Sequence, residues 1–91
     1  MKAGNVAMSN VTVRYYATLR NCTGREEDSL AAARVRDVIA FVKKHYGGGA
    51  DRILRHCSVF VNSSNVTFLD GAGTRLKDGD QVHIFPPLGG G

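Results

Sequence analysis

The C-terminal segment Pro86-Pro87-Leu88-Gly89-Gly90-Gly91 is the part of this sequence best suited to chemistry. Its two prolines have no N–H to donate, so a preceding sheet ladder must stop there, and they hold the chain near polyproline geometry. The three glycines have no Cβ, which leaves a thin tip with many backbone paths open. Fully extended, the segment reaches at most roughly 20 Å. The pattern predicts a stiff base and a slender tail that carries the Gly91 carboxylate into the active site of another protein.

The cysteines and histidines do not show the spacing of a metal or redox site. Cys22 and Cys57 are too few and too far apart for a disulfide framework or a CxxC motif, so we interpret them as reduced thiols. Paired ligand spacing, which zinc sites usually show, is absent among the three histidines and Cys57. We therefore predict no bound metal or other cofactor. The histidines concerned are His45, His56 and His83.

No nucleophile and base can be paired from their spacing, so we do not expect the chain to be an enzyme on its own. The run Gly47-Gly48-Gly49 lacks the Lys-Ser/Thr that follows the glycines of a phosphate loop, and we interpret it as a linker.

Length and composition indicate one small domain. The chain has 91 residues, of which 43% are hydrophobic and 22% charged, and its net charge is +4. No apolar run approaches the roughly 20 residues that span a bilayer. The leader, residues 1–10, has no apolar core of a secretory signal. We therefore expect a cytoplasmic protein with no membrane partner, and the positive charge favours acidic partners only weakly.

The first half of the chain should contain a hairpin and a helix. Residues 11–17 alternate with period two, which predicts a half-buried strand, followed by a turn over residues 19–24 and a short return strand over residues 25–30. An apolar stripe with helical spacing then predicts a helix that begins near Arg34 without an obvious cap and stops at Gly47. The stripe consists of Val35, Val38, Ile39, Val42 and Tyr46.

The second half should contain short elements and one more good strand. We expect a helical turn over residues 51–56, a strand over 58–62 and a brief edge pairing over 66–69. Lys77-Asp78-Gly79-Asp80 is a strong turn signal, and residues 81–85 form the last predicted strand.

These elements predict an α+β fold in which one main helix covers one face of a small mixed sheet, the layout of a β-grasp (ubiquitin-like) domain. The domain would span residues 11–85, after the flexible leader and before the extended tail, residues 86–91. The first and last strands are the most apolar and should lie side by side at the centre. The predicted strand residues of the core are Val13, Tyr15, Val59, Val61, Val82 and Ile84.

Strand alternation places Tyr16, Phe60 and Phe85 on the face opposite this core. If their strands are neighbours, the three aromatic side chains form an exposed patch beside the tail. Exposed apolar clusters often mark interfaces, so we predict that this patch binds a partner protein.

Over residues 11–91, the sequence resembles the small, sulfur-carrying subunit of molybdopterin synthase, within the ubiquitin-like sulfur carriers. The ending is the most specific element, because carriers of the thiamine and tRNA-thiolation pathways usually lack the proline pair. The segments that carry the resemblance are Val13–Arg20, Arg34–Val42, Val61-Asn62, Leu76–Val82 and Phe85-Pro86-Pro87 with the terminal glycines.

The resemblance implies a carrier cycle. An ATP-dependent, E1-like adenylating enzyme activates the Gly91 carboxylate, and a sulfur donor protein converts it to a thiocarboxylate. The thiocarboxylate then gives its sulfur to a pterin precursor in the large catalytic subunit, for molybdenum cofactor biosynthesis. ATP is used by the activating enzyme and not bound by this chain.

Three alternatives remain open at this point. The sulfur acceptor could be tRNA or a thiamine precursor. The same tail could instead form isopeptide bonds, as in a ubiquitin-like protein modifier. A basic stretch around the helix would suit an RNA-binding module, which we disfavour because it has no interleaved stacking aromatics. The stretch comprises Arg34, Arg36, Lys43, Lys44, Arg52 and Arg55.

Overall fold

A mixed sheet with a long helix across one face organises residues 7–87, the part of the chain that the computed structural model describes. The spatial strand order is β2-β1-β5-β3-β4, with β1 and β5 parallel and the other pairs antiparallel. The predicted β-grasp layout is confirmed. The elements are β1 Ser9–Tyr15, α1 Ala17–Thr23, β2 Glu27–Ala32, α2 Val35–Leu54, β3 Ser58–Val61, β4 Ser64–Asn65, two 3-10 turns at Val66–Phe68 and Gly71–Gly73, and β5 Gln81–Phe85.

The core lies between the central strands and α2, as the alternation predicts. β1 and β5 are neighbours, and Val13 lies beside Val82 in their parallel register. Both valines are fully buried, because they face the apolar stripe of the helix. Of the predicted strand residues of the core, Val59 of β3 is only partly buried, whereas Val61 of the same strand is buried.

α2 has a cap and a kink. The cap comes from inside the helix: the Asp37 carboxylate accepts hydrogen bonds from the backbone N–H groups of Ala33 and Arg34, at 3.0 and 2.9 Å. Gly47 has φ of 75° and interrupts the helical geometry at the predicted stop. Helical residues resume after it and continue to Leu54. The prediction that the glycine run is a linker was therefore wrong, because only Gly47 leaves the helix.

Two other local predictions were wrong. The predicted turn over residues 19–24 is mostly helix α1, which buries Leu19 fully and ends where Gly24 adopts φ of 72°. The predicted edge pairing over residues 66–69 is a 3-10 turn, because the Asn65 side chain accepts the Thr67 N–H and turns the chain.

The start of β1 lies inside the predicted leader. Ser9 and Asn10 pair with β2, and the Asn10 N–H donates to the Asp78 carboxylate at 2.7 Å. Residues 1–6 of the predicted leader are outside the described part of the chain. Within residues 7–87, neither helix has the combined length and apolar character needed to cross a bilayer.

Candidate functional site

The sheet face opposite α2 carries an aromatic cluster where β1 and β5 end. Tyr16 directly follows β1, Phe85 ends β5, and Phe60 lies in the neighbouring β3. The Tyr16 and Phe85 rings stack with centroids 4.3 Å apart, and the Phe60 ring meets Phe85 edge-on at 5.5 Å. Both geometries are favourable for aromatic pairs. The structure thus brings together the three residues expected to form a patch; that they bind a partner stays a prediction.

This cluster forms the wall of an open groove of about 690 Å³, which we call the aromatic groove. Its walls are mainly apolar, and the base of the tail is part of them. Pro86 is buried and Pro87 is exposed, and both line the groove. The predicted tail residues Leu88, Gly89, Gly90 and Gly91 lie outside the described residues. The groove is lined by Tyr16, Ala17, Ser58, Phe60, Phe85, Pro86 and Pro87.

The end of β5 explains why the tail starts here. Phe85 is the last residue of the ladder and lies opposite Ser58 of β3. The next residue, Pro86, has no N–H to continue the ladder. The tail therefore begins at a fixed point beside the aromatic rings.

His83 is a further member of the cluster, which was considered from the sequence only as a metal ligand and rejected in that role. Its Nδ1 lies 2.8 Å from the Tyr16 hydroxyl, and its ring stacks with Phe85 at a centroid distance of 6.2 Å. Burial, aided by the nearby Arg14 guanidinium, lowers the pKa of His83 below its ordinary value. The signal that could have found it is its position two residues before Phe85, on the same face of β5.

Ala17 is a second groove residue that sequence reasoning missed. Its φ of 53° lies in the left-handed region, which residues with a Cβ adopt at a cost of about 1–2 kcal/mol. This turn of the backbone redirects the chain from β1 into α1 and leaves Tyr16 against Phe85. Alanine is not a typical residue for this conformation, so no sequence signal indicated it.

The basic residues considered for RNA binding lie at the start of α2 and along it, on the side of the sheet away from the aromatic groove. Several are already engaged: Arg34 donates to the Gly73 carbonyl at 3.1 Å, and Asp51 lies within ion-pair distance of Lys43 and Arg55. The structure does not bring these cations together with the aromatic rings.

The cysteines and histidines are dispersed. Cys22 is exposed, whereas burial raises the pKa of the Cys57 thiol to about 11. In residues 7–87, no three His, Cys, Asp or Glu side chains converge in a way that could hold a metal ion.

Comparison with known sequences relates the chain to sulfur carriers and to modifiers. A profile of the ThiS family matches residues 13–91. Small archaeal modifier protein 3 of Haloferax volcanii is 36% identical, over 87% of this chain and 96% of the relative. A molybdopterin synthase sulfur carrier subunit of Pyrenophora tritici-repentis is 30% identical over the full length of both chains. The sulfur carrier protein CysO of Mycobacterium tuberculosis is 32% identical, over 90% of this chain and 99% of the relative.

Solved structures share the fold. Small archaeal modifier protein 1 of Methanosarcina acetivorans aligns with a TM-score of 0.83 and 28% identity, covering 92% of this chain and 98% of that one. A chain in the complex of subunits 1 and 2 of the molybdopterin-converting factor of Helicobacter pylori aligns with a TM-score of 0.67 and 26% identity. That match covers 90% of this chain and 99% of the other.

Proposed function

The chain belongs to the ThiS family of ubiquitin-like sulfur carriers, and from this premise we propose that its working group is the Gly91 carboxylate. The observation that supports this proposal most directly is the position of the tail base. Pro86 and Pro87 leave the domain from the wall of an apolar groove. A partner that covers the groove would receive the tail at a fixed point of entry, and no catalytic side chain of this protein is needed.

The proposed chemistry activates a poor acyl donor. A Gly91 carboxylate oxygen attacks the α-phosphorus of ATP in an adenylating enzyme, and pyrophosphate leaves. Hydrosulfide released by a sulfur donor protein then attacks the acyl carbon of this adenylate. The C–O bond to AMP breaks, AMP leaves, and loss of the S–H proton gives the thiocarboxylate. An ionised sulfur is a better nucleophile than a carboxylate oxygen, so the product can deliver sulfur to an electrophilic acceptor.

We propose that the aromatic groove is the docking surface for these partners. Aromatic side chains are enriched at the centres of protein interfaces, where they carry much of the binding energy. The structural relative from Helicobacter pylori belongs to a complex of two subunits. By analogy, a large catalytic subunit of molybdopterin synthase would bind this face, and the adenylating enzyme would use it at another step of the cycle.

Mass spectrometry of the C-terminal peptide tests the carrier proposal. The full chain is incubated with ATP, sulfide and an adenylating enzyme whose activity is established on another carrier of the family. We expect one terminal oxygen of Gly91 to be replaced by sulfur, and no such change in a variant that lacks Gly91. An unmodified Gly91 terminus, while the same enzyme modifies the other carrier, would contradict the proposal.

We further propose that the sulfur acceptor is a pterin precursor. The full-length similarity to a molybdopterin synthase sulfur carrier subunit and the proline pair support this choice. The thiocarboxylated protein would be mixed with a large synthase subunit and the precursor. Formation of the sulfur-containing pterin, with matching return of the Gly91 carboxylate, is the expected result. Consumption of the thiocarboxylate by tRNA or a thiazole precursor instead would exclude the pterin.

A protein modifier is the second candidate function, because small archaeal modifier protein 3 is 36% identical. In that case Gly91 would be joined to lysine side chains through isopeptide bonds. Mass spectrometry of proteins captured with the tagged chain from its own cells separates the two functions. Lysine-linked Gly91 that disappears when Gly91 is deleted would establish modification, and a free or thiocarboxylated terminus alone would favour the carrier.

A further inference from the structure

A hydrogen bond joins His83 of β5 to Tyr16, whose ring packs on Phe85 at the base of the tail. The Tyr16 hydroxyl and His83 Nδ1 are 2.8 Å apart; the hydroxyl donates when Nδ1 is bare and accepts when Nδ1 carries a hydrogen. The other side of this contact is the stack of Tyr16 on Phe85, with centroids 4.3 Å apart and planes 21° from parallel. Tyr16 is thus held at its hydroxyl by one β5 residue and at its ring by another.

Without the hydroxyl contact, only ring contacts with Phe85 and His83 would hold the orientation of the Tyr16 side chain. Tyr16 is only partly buried, and the backbone turn at Ala17 removes it from the regular strand. Phe85, 37% exposed, directly precedes Pro86. Loss of the Tyr16–Phe85 stack would therefore change the position of Phe85, the residue from which the tail starts.

The surroundings of His83 favour its neutral form. The charged group that faces it is Arg14 of β1, its neighbour in the parallel register. Arg14 is in turn paired with Glu27 of β2 at 3.1 Å. From β3, the residue opposite His83 is Phe60, which is not ionisable. Together with burial, Arg14 lowers the pKa of His83, so near neutral pH the hydrogen bond forms without placing a charge among the aromatic rings.

We propose that His83 is a positioning residue for the tail: by orienting Tyr16 it maintains the Tyr16–Phe85 stack and so fixes the direction in which Pro86 and Pro87 leave the domain. This role needs a hydrogen-bonding group at the position of Nδ1. It does not need an imidazole. The position of Pro86 and Pro87 sets how the tail enters a docked partner. An effect of His83 on adenylation kinetics therefore rests on the proposed carrier function.

Three substitutions in the full chain separate positioning from simple packing. His83→Leu removes the hydrogen-bonding group and retains apolar volume, and Tyr16→Phe removes the hydroxyl and retains the ring. His83→Asn places an amide group near the position of Nδ1 and should rescue the contact. His56→Leu is the matched control, because His56 is exposed and lies just after α2, away from the groove.

The first readout is NMR of the free protein and does not depend on the carrier function. We expect His83→Leu and Tyr16→Phe to weaken the cross-peaks between the Tyr16 and Phe85 rings and to shift the Pro86 resonances. The double variant should weaken the cross-peaks no more than either single one, while His83→Asn and His56→Leu retain the cross-peaks between the Tyr16 and Phe85 rings. Unchanged cross-peaks in His83→Leu, or failure of His83→Asn to rescue, would overturn the proposal.

The second readout is the adenylation kinetics of the carrier. Loss of one net hydrogen bond at the groove should raise the KM for the carrier about three- to tenfold in His83→Leu and leave kcat unchanged. A fall in kcat alone, or an equal effect of His56→Leu, would contradict positioning. If even the parent chain is not adenylated, the proposed function fails, and the NMR result still decides the role of His83.

Discussion

Single aromatic residues should account for most of the partner affinity of this protein. Side chains of this type bury about 150–250 Å² each in an interface, and a few of them usually dominate its energetics. Phe60 lines the aromatic groove and meets Phe85 edge-on. Phe68 provides a natural comparison, because it is 86% exposed in a 3-10 turn and does not line the groove.

We predict that Phe60→Ala raises the KM of the adenylating enzyme for this carrier at least about fivefold, which corresponds to about 1 kcal/mol for a moderate interface anchor. Phe68→Ala should leave the KM within about twofold of the parent. Steady-state adenylation measured over a range of carrier concentrations checks both values, with thermal melts to confirm that each variant is folded. Equal KM values for the two folded variants would show that the groove is not the docking surface.

The two halves of α2 meet at a backbone conformation that favours glycine. Gly47 has φ of 75°, whereas Gly48 is an ordinary helical residue, and a Cβ added to either would meet no other atom within 4 Å. Neither position therefore penalises a methyl group by steric clash, and only the backbone conformation differs. This pair isolates the conformational cost of the kink.

Gly47→Ala should lower the free energy of unfolding by about 1–3 kcal/mol, because φ of 75° with ψ of −156° is a backbone conformation that is essentially restricted to glycine. Gly48→Ala should raise it by up to about 1 kcal/mol, since alanine is the better helix former. Urea denaturation of both variants at neutral pH measures the two changes. Stabilisation by Gly47→Ala would mean that the kink is not a fixed feature of the native helix.

The fold as a whole was largely predictable from period-two alternation, which fixes the face on which each strand residue lies. That rule placed Val13 and Ile84 in the core and Phe85 on the opposite face. Helix α1 was not predictable, because seven residues form fewer than two turns and show no clear period. The contact of Tyr16 with His83 was missed for another reason: alternation gives the face of each residue but not the register of the β1–β5 pair, which sets His83 beside Arg14 and within reach of the Tyr16 hydroxyl.

A half-buried carboxylate holds three elements of the molecule together. Asp28 of β2 accepts hydrogen bonds from the hydroxyls of Tyr15, at the end of β1, and of Tyr46, just before the kink in α2. Arg25 pairs with its other oxygen at 2.7 Å. Burial acts to raise the pKa of Asp28, but the two hydroxyls and the Arg25 guanidinium outweigh it and lower the pKa below its ordinary value.

Because its pKa is lowered in the folded state, ionised Asp28 stabilises the fold above the pKa of the unfolded chain, and this contribution is lost as the pH falls through the folded value. Asp28→Asn should therefore lower the free energy of unfolding by about 2 kcal/mol at neutral pH. The difference in the free energy of unfolding between Asp28→Asn and the parent should become smaller as the pH falls below about 4. Urea denaturation between neutral and acid pH measures this.

The matched control for that series is Glu26→Gln, which makes the same carboxylate-to-amide change in the exposed ion pair with Arg20. Exposed pairs contribute little, so its effect should stay within about 0.5 kcal/mol. If both variants lost the same stability, the effect would come from net charge, because each removes one negative charge from a molecule of net charge +4. A large loss of unfolding free energy in Asp28→Asn alone, which becomes smaller in acid, would instead mean that the ionised Asp28 carboxylate holds the hydroxyls of Tyr15 and Tyr46. One negative charge would then join the sheet, through Tyr15 of β1, to the helix layer, through Tyr46 of α2.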